Sequence, residues 1–122
     1  MKLRIKGNSI RLRLTKTEVS EFSQNRSITE AIEFTHGEPL LYRLSMSDDT
    51  DPLTKHTQNL IEVRIPTAIA TNWALTDTVS IEHWAEVGQK KLRILIEKDF
   101  ACLQSREHED DSDAYENPNT NC

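Results

Sequence analysis

The sequence predicts a mainly β (α+β) fold, a small closed or partly open β-barrel built from two pseudo-repeated β-α-β-β units and followed by an irregular acidic C-terminal tail. Three observations predict it. Apolar residues alternate with charged ones in several short runs, the period-two pattern of half-buried strands. The two halves correspond at an offset of 51 residues, so that Ile10 matches Ile61, Leu12 matches Val63, Leu14 matches Ile65 and Phe22 matches Trp73. Folding one unit onto its twin would also remove the open ladder edges that a lone hairpin presents.

In chain order, Leu3 and Ile5 alternate with Lys2, Arg4 and Lys6, and Ile10, Leu12 and Leu14 alternate with Arg11 and Arg13. The Gly7-Asn8 pair between them predicts a hairpin turn. Thr15 and Glu18 have the spacing of a capping box, and Val19 and Phe22 continue a helix that frays near Asn25. Strand character returns at Ile28, Ile32 and Phe34, turns at His36–Pro39 and resumes through Leu40, Tyr42 and Leu44. Ser45–Thr57 holds three aspartates, a proline and several hydroxyls, which predicts a loop or linker. Ile61, Val63 and Ile65 form the next strand, and Pro66 is placed as a first helical residue. Ile69 and Trp73 share a helical face, Val79 and Ile81 open a strand, Glu86–Gln89 turns, and Leu92, Ile94 and Ile96 close the plan. The expected domain covers residues 1–103, with pseudo-repeats at about 2–46 and 59–98, and residues 104–122 form the tail.

At 122 residues the chain fits one domain. Three glycines leave no material for a glycine-rich phosphate loop. No apolar run approaches the ~20 residues of a membrane span, and the basic start leads into alternation instead of a signal peptide. Two cysteines are too few for a disulfide scaffold. A cytoplasmic protein with no membrane partner is expected. The net charge of −5 is unevenly spread. Residues 1–26 carry seven basic and two acidic side chains, whereas residues 97–122 carry two basic and eight acidic ones.

Arg64-Ile65-Pro66-Thr67-Ala68-Ile69, continuing to Trp73, Leu75 and Val79, resembles the core motif of AbrB/MazE-type swapped-hairpin DNA-binding domains. In those domains two chains interleave to close a barrel, so the resemblance implies either a homo-oligomer or, with two tandem copies, internal closure of the cradle-loop kind. It also implies that the early strands face DNA, at Arg4, Lys6, Arg11 and Arg13. Lys2–Leu14, Glu97–Leu103 and the Asn117-Pro118-Asn119 tail ending in Cys122 resemble a family of small bacterial proteins without assigned function. That resemblance spans most of the chain and implies no activity.

Two constellations carry candidate chemistry. Arg4, Lys6, Arg11 and Arg13 offer phosphate-binding cations on a strand face. The sequence pI of about 5.3 favours the plainer reading, a solvated face that opposes edge aggregation. Cys102, His108 and Cys122, with Asp110 nearby, supply the N, S and O ligand types that zinc takes, although without a tight Cys-x2-Cys knuckle. A Cys102–Cys122 disulfide and two free thiols are the competing readings. Trp73 and Trp84 both read as core or rim packing. His83 reads as a half-buried strand residue, His36 as part of a turn and His56 as an exposed linker residue. With no catalytic motif, the expected protein is a non-enzymatic binding or assembly domain, with a nucleic-acid-binding regulator and a metal-binding module as alternatives.

Overall fold

The computed structural model describes residues 1–100 and 113–115. The order is β1 (Lys2–Ile5), β2 (Ser9–Leu14), α1 (Lys16–Asn25), β3 (Ser27–Ile32), β4 (Leu40–Ser47), β5 (Leu53–Thr57), β6 (Leu60–Pro66), α2 (Thr67–Leu75), β7 (Ser80–Val87) and β8 (Lys90–Lys98). The fold is mainly β. No helix among the described residues is long and apolar enough to cross a membrane.

The strands make two four-stranded sheets, β1-β2-β8-β7 and β3-β4-β6-β5, here called sheets A and B. Each is an antiparallel hairpin joined to a second antiparallel hairpin through a parallel pair, β2 with β8 and β4 with β6. Each sheet takes one hairpin from either half of the chain. Of the closed or partly open barrel expected, the closed form is therefore corrected: the strands make two four-stranded sheets with four edges. Charge on those edges does what closure would have done, since β1 carries Lys2 and Arg4, β7 carries Glu82 and Glu86, β5 carries Lys55 and β3 carries Glu30.

The Ser45–Thr57 linker is also corrected. Its first residues extend β4, and Leu53–Thr57 is a strand paired with β6. The pairing of β5 repeats that of β1 at the same offset: Leu3 opposes Leu12, and Thr54 opposes Val63. The 51-residue offset also places Ile28 on Val79, and this is corrected: Ile28 opposes Leu44 and Ile81 opposes Ile96, so the register matches Ile28 to Ile81.

Local chemistry explains the helices. Thr15 caps α1 in both directions of the predicted box: its Oγ1 accepts from the Glu18 N–H at 3.4 Å, and its own N–H donates to Glu18 Oε1 at 2.9 Å. Arg26 then ends the helix in the left-handed region at φ 66. Pro66 lies one residue earlier than expected, as the cap of α2 and the last residue of β6. The β7–β8 turn closes at Gly88, whose φ of 62 disfavours a side chain.

Leu12, Leu14, Leu44, Val63, Ile65, Ile94 and Ile96 bring both sheets into one core, with Val19 and Phe22 of α1 and Ala70 and Trp73 of α2. Polar contacts close its margins. The Met1 ammonium bonds Glu18 and Glu30, and the Tyr42 hydroxyl donates to Met1 O and Glu30 Oε2. Of the acidic tail, Asp113 Oδ1 accepts from the Thr17 N–H and hydroxyl at the start of α1, where a helix favours an anion. Tyr115 rests against Phe100 with ring centroids 5.5 Å apart.

Candidate functional site

Strand alternation sorts sheet A into two faces. Ile10, Leu12 and Leu14 of β2 point into the core, so Ser9, Arg11 and Arg13 point out. On β8, Ile94 and Ile96 point in, so Arg93, Leu95 and Glu97 point out. The ladder then lays cations side by side, with Lys2 opposite Arg13, Arg4 opposite Arg11, and Ser9 opposite Arg93. Like charges directly opposite on neighbouring strands are unfavourable, so their accumulation here works against stability.

Glu97 relieves part of that repulsion. Its Oε1 accepts from Arg11 Nε at 2.6 Å and Arg13 Nε at 2.8 Å. Burial opposes the charge on Glu97, but the two guanidinium groups outweigh it and hold the carboxyl below its ordinary value. Arg4 and Lys6 have no ion pair or hydrogen bond from their side chains among the described residues. With Arg11, Ser9 and Arg93 they line a depression of about 160 Å³.

At its far side the face ends in an aromatic group. Trp84 lies opposite Arg93 on β7 and is 54% exposed. The Arg93 guanidinium sits 5.8 Å from the ring centroid, while Glu82 accepts from Trp84 Nε1 at 3.1 Å and from Arg93 at 2.8 Å. Those two hydrogen bonds hold the Glu82 carboxyl below its ordinary value. Trp73, by contrast, is fully buried.

Sheet B does not repeat this charge pattern. Glu62 stands where the offset places Arg11, and it gathers Arg64 at 2.9 Å and Arg43 at 3.5 Å. Burial works against that carboxylate, and the arginines with Ser45 more than offset it. Leu53 stands where the offset places Lys2.

Arg4, Lys6, Arg11 and Arg13 are thus brought together on one surface. Arg93 and Trp84 belong to the same surface and are additions to it. The parallel β2–β8 pairing that recruits Arg93 joins distant segments, so no local pattern marks it. Trp84 did carry a signal, because it is in phase with Glu82 and Glu86 and out of phase with buried Ile81. Cys102, His108, Asp110 and Cys122 lie outside the described residues. Among the described residues, no group of three or more His, Cys, Asp or Glu is placed to hold a metal ion.

A second hollow, of about 360 Å³, opens at the end of α2 around Lys98. Lys98 Nζ donates to the Thr76 carbonyl at 2.7 Å and lies 5.8 Å and 5.4 Å from the Trp73 and Tyr115 ring centroids. Burial lowers its pKa and Asp77 opposes that shift. These partners account for the ammonium as a helix C-terminal cap.

The profile of a family of unknown function (DUF7009) matches residues 1–119. No curated protein and no solved structure matches the chain.

Proposed function

Since the chain belongs to this family of unknown function, we propose from its geometry that it is a non-enzymatic binding domain whose ligand is a phosphate-bearing polyanion, a nucleic acid, held on the outer face of sheet A. The observation that carries this reading is the asymmetry between the sheets. Both have the same pairing scheme, yet sheet B gathers its arginines around Glu62, while sheet A adds Lys2, Arg4 and Lys6 beside Arg11, Arg13 and Arg93. A face whose only task is solubility has no need of opposed cations at a stability cost.

The acidic net charge does not defeat this reading. At physiological salt the Debye length is ~8 Å, so the cations on the face govern a phosphate docked there more than distant acids do. In this reading Arg4 and Lys6 meet phosphates directly, Arg11 and Arg13 are oriented by Glu97, and the two halves descend from one duplicated swapped-hairpin unit.

The test is titration of a fluorescently labelled nucleic acid at about 50 mM and about 200 mM salt. Affinity should fall steeply with salt, with a slope equivalent to about four phosphate contacts. Arg4→Glu with Lys6→Glu should weaken binding at least about tenfold at low salt and reduce the slope by about two contacts. Binding that ignores salt, or ignores these two reversals, would overturn the reading.

A further inference from the structure

We infer that the nucleic acid taken by sheet A is single-stranded and that Trp84 is the platform on which one of its unpaired bases stacks. This rests on the polyanion reading above and specifies its ligand.

Trp84 sits where core packing gives no reason for it. Its neighbours on the outward side of β7 are Glu82 and Glu86, and more than half of its surface meets solvent. An exposed tryptophan between Glu82 and Glu86 has a large apolar surface left in water. Two contacts hold the ring at the edge of the cationic depression. Arg93 lies against its π surface at 5.8 Å, and Glu82 accepts the indole N–H at 3.1 Å. The platform is therefore oriented before any ligand arrives, which lowers the ordering cost of binding.

Arg93 connects the two parts of the surface. It lines the depression with Arg4, Lys6, Ser9 and Arg11, and it touches Trp84. Across the sheet, β7 to β2 spans two strand spacings, about 10 Å. A backbone phosphate in the depression and a base on the indole thus lie within reach of one short stretch of strand. Cations tracking a backbone beside an aromatic that takes a base are the combination used by proteins that bind single strands. A duplex keeps its base faces stacked inside and has none to offer Trp84.

The experiment compares a labelled dT oligonucleotide of about twelve residues with a duplex of equal length, using the full chain at low salt. The single strand should bind more tightly and quench the emission of exposed Trp84, while buried Trp73 remains as an internal reference. Trp84→Ala should weaken dT binding roughly five-fold to a hundred-fold, and Trp84→Phe should stay within about three-fold of the parent. Both variants should unfold at the parent's denaturant midpoint, because the side chain lies outside the core. Salt-dependent binding that is unchanged in Trp84→Ala, or equal for duplex and single strand without quenching, overturns the stacking inference and leaves the polyanion reading in place. Absence of binding to either probe overturns both.

Discussion

Phe22 and Trp73 meet edge to face, ring centroids 6.3 Å apart and planes at 62°, each fully buried on its own helix. They are the residues that the 51-residue offset pairs, so the interior is organised around one aromatic contact donated equally by the two halves. Replacing either with Ala should cost about 3–5 kcal/mol in chemical denaturation. The two losses should not add, because the contact itself contributes about 0.5–1.5 kcal/mol beyond buried area. Strict additivity in the double variant would show that the rings do not act as a pair.

Glu97 sets stability against binding. Glu97→Gln removes the anion that restrains Arg11 and Arg13, so polyanion affinity should rise and its salt dependence steepen. Stability should fall by about 1–3 kcal/mol, because the guanidinium groups then face one another over a neutral, part-buried amide. The folded carboxyl titrates below the ordinary 4.5, so its contribution is complete above that pH and is lost as pH falls through the lower folded value. Glu62 and Glu18 shift in the same direction. The parent should therefore lose stability below pH 4.5 in denaturant titrations, and Glu97→Gln should lose less over that range. A variant that declines in parallel with the parent would contradict the clamp.

Tyr42 should be slow to ionise. Burial first, and then its hydrogen bond to Glu30, push the phenol from 10.0 to about 12. Burial and Asp113 raise Tyr115 as well. These are the chain's two tyrosines, so an absorbance titration of the folded protein should show far less than half of its tyrosinate at pH 10.0. The raised phenol stabilises the fold below 10.0, and that contribution disappears as pH climbs towards about 12. Half-ionisation at pH 10.0 in the folded protein would refute the Tyr42 contacts.

Much of the fold was legible because its signals are local. Gly7-Asn8, the Thr15–Glu18 box and the Ile10-Leu12-Leu14 alternation each act within a few residues. β5 escaped notice because an edge strand does not need an apolar stripe: Leu53 and Thr54 are half buried, and the remaining three residues are exposed. Adding the offset to β1 would have located it. Closure failed because charged edges satisfy the same physical demand without any pairing between the two sheets. The site divides along the same line. Arg4, Lys6, Arg11 and Arg13 belong to one hairpin and were visible together. Arg93 and Glu97 arrive through the parallel pairing of β2 with β8, which no periodicity encodes.

That exchange of hairpins has a kinetic consequence. Arg13 and Glu97, adjacent across the β2–β8 junction, are 84 residues apart in the chain. A ladder closed over so long a loop gains its contacts only after the entropy of closure has been met, which slows the search. During synthesis, β1 and β2 must wait on the ribosome with one flank unsatisfied until β8 emerges. Sheet B, whose four strands all lie within residues 27–66, can pair before α2 is made, so it is sheet A, and the shared core with it, that is postponed to β8.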